Sequence, residues 1–181
     1  IGTEEVFARY LNKLRQTHPK VPDLLRLLGR SMYERGTSRI RIRDIEADKG
    51  FGLVWSHEGL SALDALEFQG VLSTIDDPLG RVINFTVERV CEQVIGEYIA
   101  SLVTMEDPIE LARAAGHLLG HHLAQGPGAI RVALAIIVDR NGEDRGGEYL
   151  YGFIDACPIE LVHLAGTTLA ARVIQAGEEG G

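Results

Sequence analysis

Ser38-Arg39-Ile40-Arg41-Ile42-Arg43-Asp44-Ile45-Glu46 is the stretch whose reading decides the fold. From Ser38 to Arg43 polar and aliphatic residues alternate strictly. That is the period of a strand with one buried face, and it predicts isoleucines inward and arginines outward. Asp48-Lys49-Gly50 supplies a turn and Phe51 to Trp55 a natural return strand, so the region reads as a β-hairpin.

The flanking segments read as helices. Thr3-Glu4-Glu5 opens a periodic stretch to about Gln16, with Val6, Tyr10, Leu11 and Leu14 on one face. A second helix is expected from about Pro22 to Glu34, stopped by Gly36, and a third from Ser61 to about Ser73. Asp76-Asp77-Pro78-Leu79-Gly80 is the clearest internal break and the best candidate boundary. Beyond it Ile83, Val87, Val90, Val94, Tyr98 and Leu102 recur at spacings of three and four, predicting an amphipathic helix over 82–103. Asp107-Pro108 starts another helix, ending at Gln125-Gly126-Pro127-Gly128. Ile130 to Val138 is apolar on both faces, which predicts a strand buried in the core or covered by a partner subunit. A loop over 141–147, a return strand over 148–155 and a last helix from Pro158 to Gly177 complete the chain.

The fold class expected is therefore α+β and helix-rich. Two β-hairpins, able to join into one antiparallel sheet, pack against about six helices. Residues 1–77 and 78–181 each read as helix, helix, hairpin, helix, within one compact domain sharing a core. No residue-level repeat links the halves, so duplication stays open.

Charge separates them. Residues 1–60 carry 11 Lys and Arg against 8 Asp and Glu, whereas residues 61–181 carry 7 against 18, within a net charge of −8. The basic front half points to an anionic partner. Hydrophobic content of 45% with 24% charged residues suits a soluble globular protein. A chain of this size buries roughly 70% of its unfolded surface without needing a staple. Two cysteines are too few for a disulfide framework and, with no signal segment or long apolar run, suggest the cytoplasm. Starting at Ile1 leaves room for a leader removed before it.

Three groups of residues could carry chemistry. Arg39, Arg41 and Arg43 form a ladder with rungs about 7 Å apart, and Arg35 lies close by. Guanidinium forks match phosphate oxygens, so this row, the candidate ligand- or anion-binding site, could contact a nucleic-acid backbone or a phosphorylated ligand. The competing view is a solvated strand face paired with Asp44, Glu46 or acids across the sheet. Cys157, before Pro158, is the candidate reactive thiol, because a helix N-terminus beyond it would stabilise a thiolate; Asp155 opposes this. A small buried helix cap is the plainer expectation for Cys157, and Cys91 reads as core. His117 and His121 sit one turn apart and could share a metal, although the His-Glu-x-x-His pattern is missing.

Two resemblances compete with these readings. Arg41 to Gly50 resembles the first helix and glycine turn of helix-turn-helix regulators, and a hairpin following helices resembles a winged-helix wing. The resemblance implies DNA binding, against which the acidic second half counts. Cys157-Pro158 is similar to the short motif of some haem-responsive proteins. Gly126-Pro127-Gly128 and Gly142 to Gly147 match neither a P-loop nor a dinucleotide fingerprint, and there is no nucleophile elbow.

The function expected is a non-catalytic regulatory, assembly or ligand-sensing domain acting as a homo-oligomer, a homodimer in the simplest case. Its partner would be a protein or an anionic ligand, with no membrane and with nucleic acid disfavoured. The alternative is a metal- or thiol-dependent enzyme or sensor using Cys157 and the histidines. A nucleic-acid-associated protein using Arg39, Arg41 and Arg43 comes third. No cofactor is required by the sequence; zinc, iron or haem belongs to the alternative.

Overall fold

The computed structural model describes residues 3–46, 57–104, 106–163 and 166. Two compact units divide it, Ile1–Ile95 and Gly96–Gly181, the division falling within one helix. The class is α+β: a small antiparallel sheet among many helices.

In the first unit, α1 (Thr3–Arg15) buries Leu11 and Leu14, and α2 (Val21–Arg35) buries Val21, Leu24, Leu25, Leu27, Leu28 and Met32. Pro22 lies in the first turn of α2, where no N–H is needed. Gly36 ends the helix in the left-handed region (φ 60°), and the Thr37 N–H donates back to the Met32 carbonyl at 3.2 Å.

Strand β1 covers only Arg39–Arg41, after which the chain turns into the short helix α3 (Ile42–Glu46). The strict alternation from Ser38 to Arg43 that predicted a strand contains just two isoleucines, Ile40 and Ile42. Ile42 and Ile45 are three apart, a helical spacing, and Ile45 is buried. The expected return strand over 51–55 lies outside the described residues.

Helix α4 (His57–Phe68) is followed by β2 (Leu72–Asp77) and β3 (Gly80–Phe85). The sheet order is β1-β3-β2, antiparallel throughout. Asp76 to Gly80, read from sequence as a break, is a hairpin turn inside this unit. The Asp77 carboxylate accepts the Leu79 N–H at 2.6 Å, and Gly80 takes φ 122°. Residues 82–85 are therefore strand rather than the start of a helix. Ile83 lies opposite Ile40 and both are buried, so the pair anchors the sheet on α2, α3 and α4.

Helix α5 (Glu88–Leu102) begins after Thr86, whose hydroxyl and N–H both donate to the Val71 carbonyl. In the second unit, α6 (Pro108–Gly120) is capped by Asp107, which accepts the Ile109 N–H at 2.9 Å. Next comes α7 (Gly126–Ala156), packed along α6 and broken at Gly142, where φ is 73° and ψ −178°. The strands expected over 130–138 and 148–155 are both helical. Ile130, Ala133, Leu134, Ile137 and Val138 are buried, a helical spacing inside a run whose apolarity, interrupted only by Arg131, hid its period. These residues are buried in the single chain. Only a 3-10 turn (Ile159–Leu161) and Val162–His163 extend the expected last helix before the described residues thin out.

No described helix is long and apolar enough to cross a membrane.

Candidate anion-binding cleft

The end of α2 and the whole of β1 place the front arginines together. After Gly36 reverses the chain, the Thr37 hydroxyl accepts the Arg39 N–H at 3.1 Å and delivers the backbone into β1. Arg39 and Arg41 then project from the face of the sheet opposite Ile40. Register puts Asn84 beside Arg39 and Val82 beside Arg41, with Ile75 of β2 beyond Val82. A cleft of about 410 Å³ lies over this face, walled by Arg35, Thr37, Arg39 and Arg41. Val82, Asn84 and Ile75 form its floor, and Asp44 and Asp77 its acidic rim. The volume falls in the range of small-molecule sites.

Its electrostatics are unsaturated. Arg35 reaches Asp44 at 3.5 Å and Arg41 reaches Asp77 at 3.9 Å. Both are long, part-exposed pairs of the kind worth about 1 kcal/mol or less. Arg39 pairs with no acidic side chain among the described residues, and Arg41 Nε is buried with no hydrogen-bond partner among them. Two carboxylates thus face Arg35 and Arg41, and Arg39 is left as the cation through which an incoming anion would be met.

Of the four arginines singled out in the sequence, three line the cleft. Arg43 does not: it falls in α3 and contacts Asp44 at 3.9 Å, so the ladder has two rungs on β1 and a third cation from α2. Sequence reasoning missed Thr37, Asn84, Val82, Ile75 and the role of Asp77. The β-branched pair Val82-Ile83 directly after the Pro78-Leu79-Gly80 turn was the available signal, masked by the helical spacing of Ile83 and Val87.

The helix-turn-helix resemblance gains a helix at 42–46, but α4 has no lysine or arginine, and it exposes Leu60, Asp64 and Phe68. On the β2–β3 hairpin, Arg81 is held by Thr74 at 2.8 Å and Asp76 at 3.8 Å. Neither element offers a row of open cations to phosphates.

The remaining candidates stand apart from the cleft. Cys157 caps the C-terminus of α7, its N–H donating to Phe153 at 2.7 Å, instead of opening a helix. Burial pushes its thiol above the ordinary range, and a helix C-terminus offers a thiolate no stabilisation. His117 and His121 touch edge to face, ring centroids 4.6 Å apart, with His121 at the helix cap. Among the described residues no group of three or more His, Cys, Asp or Glu is placed to hold a metal ion. Cys91 is core, its sulfur 3.7 Å from Met32 Sδ, and burial pushes its thiol to about 12.

No protein-family model matches the chain, and no curated protein or solved structure was found similar to it.

Proposed function

We propose that the first unit is a ligand-sensing regulatory module that binds a small anion in the cleft over β1 and β3. The observation that carries this is the meeting of Arg35, Arg39 and Arg41 around one cavity, with Arg39 paired to no acidic side chain among the described residues. The order helix, strand, helix, helix, strand, strand from α2 to β3 is similar to a winged helix-turn-helix, with β2–β3 as the wing. In DNA-reading members of that architecture the second helix of the pair enters the major groove. Here the corresponding helix, α4, carries acidic and apolar side chains in place of cations. A sensing role suits such a module better than groove reading.

Isothermal titration of the full chain with acetate and with inorganic phosphate at low ionic strength tests this. Saturable binding of at least one of the two in the millimolar range is expected, weakening with salt and lost in an Arg39→Gln, Arg41→Gln double variant. Binding of neither anion, or binding indifferent to the double variant, would overturn the proposal. So would tight, salt-dependent binding of duplex DNA that survives it, since that would move the function to another surface.

A further inference from the structure

The cleft sets charged side chains beside an aliphatic floor. On the open sheet face, Arg41, Val82 and Ile75 stand in one cross-strand row. With neighbouring strands about 4.8 Å apart, the backbones of that row span roughly 10 Å from β1, which carries the arginine, to β2, with an aliphatic side chain on each of the other two strands. Val82 is 8% exposed and forms a firm floor, while Ile75 is 55% exposed although it lies on a strand and against a cavity.

The charges around the cavity leave little surplus. Arg35, Arg39 and Arg41 face Asp44 and Asp77, so the lining carries one net positive charge. Asp77 cannot swing away easily: one carboxylate oxygen accepts the Leu79 N–H at 2.6 Å in the hairpin turn, and the other faces Arg41 at 3.9 Å. It also lies two residues beyond Ile75 on the same face of β2, about 7 Å along the strand. A second anionic group carried past Val82 would meet this fixed carboxylate.

Resting on the anion-binding reading above, we propose that the ligand is an organic monocarboxylate. Its carboxylate occupies the Arg39 and Arg41 end, its hydrocarbon body lies across β3 and β2 on Val82 and Ile75, and Asp77 excludes dianions. A planar carboxylate fits a guanidinium fork in two parallel hydrogen bonds. A phosphate monoester brings a charge of about −1.5 to −2, more than the surplus can neutralise. Specificity here comes from repulsion as well as attraction.

Isothermal titration of the full chain with acetate, hexanoate and adipate tests this. Hexanoate is expected to bind at least about tenfold tighter than acetate, because its extra methylenes are partly buried on the apolar floor. Adipate, of the same length but with a second carboxylate, is expected to bind about tenfold weaker than hexanoate. Ile75→Ala should lower hexanoate affinity and leave acetate unchanged. Asp77→Asn keeps an oxygen acceptor for Leu79 and should close the gap between hexanoate and adipate. Circular dichroism and a thermal melt check that each variant keeps its fold.

Equal affinities for acetate and hexanoate, both lost in the arginine double variant, would overturn the monocarboxylate class while leaving the anion site standing. An adipate affinity matching hexanoate in the parent chain, or a gap unchanged by Asp77→Asn, would overturn the role of Asp77. Binding of no anion at all would remove the underlying reading itself.

Discussion

Two glycines inside helices of the second unit should respond in opposite directions to the same substitution. A Cβ built on Gly96 of α5 would lie 2.6 Å from the Ala129 carbonyl oxygen and 2.6 Å from Val132 Cβ. A Cβ on Gly116 of α6 meets nothing within 4 Å. Replacing glycine by alanine in a helix interior contributes about 1 kcal/mol through backbone entropy, and that gain applies to both sites. At Gly96 the obstructing atoms are fixed to the α7 backbone, so no rotamer change relieves the clash. Restoring ordinary contact near 3.6 Å requires the helices to part by roughly 1 Å. Overpacking of this kind costs about 1–3 kcal/mol, and two immovable contacts place it in the upper half. Gly116→Ala is therefore expected to stabilise by about 0.5–1 kcal/mol and Gly96→Ala to destabilise by about 1–2 kcal/mol. For a chain of this length the two melting temperatures should differ by roughly 4–10 °C. Urea and thermal unfolding followed by circular dichroism measure this, and both sites lie in one unit, so the same transition is compared. If Gly96→Ala were as stable as Gly116→Ala, the close approach of α5 to α7 would be refuted.

Two further substitutions probe single interactions. Burial holds the Cys91 thiol at about 12 against an ordinary 9.0, so its stability contribution is intact below about pH 9 and declines as pH rises towards 12. Urea titrations at pH 8 and pH 10.5 should show a loss that Cys91→Ala abolishes, and iodoacetamide at pH 8 should label Cys157 well before Cys91. Asp107→Ala removes the side-chain acceptor for the Ile109 N–H and should cost about 1 kcal/mol of unfolding free energy, whereas Asp107→Ser should restore most of it.

Legibility of the fold followed the strength of local signals. Helices with capping or breaking residues at both ends, such as α2 between its prolines and Gly36, were readable because backbone geometry demands those residues. The reading failed where one residue served two periods. Ile83 stands four before Val87, and Val90 follows at three, so β3 looked like the first turn of α5. The segment 130–138 failed for a different reason: a helix covered on most sides loses the polar stripe that marks its period. Asn141-Gly142, read as the loop between strands, does break the chain direction, but between two helical stretches. Glycine reports a left-handed backbone without saying what it joins.

The cleft was half legible for a related reason. Alternation in 38–41 set which side of β1 carries cations, because period-two geometry is a local property. What the cations face depends on strand order, and β3 lies between β1 and β2 only because a non-local register pairs Ile40 with Ile83. Slipping that register by one residue would bring Ile83 to the arginine face and bury Val82 or Asn84 in its place. The burial of Ile40 and Ile83 opposes any such slip, so packing on the core face fixes the arrangement on the open one. The same pairing that closes the core aligns Arg41, Val82 and Ile75 in a row and places Asp77 beside it, against Arg41. The charge limit proposed for the ligand is thus a consequence of how the core is packed.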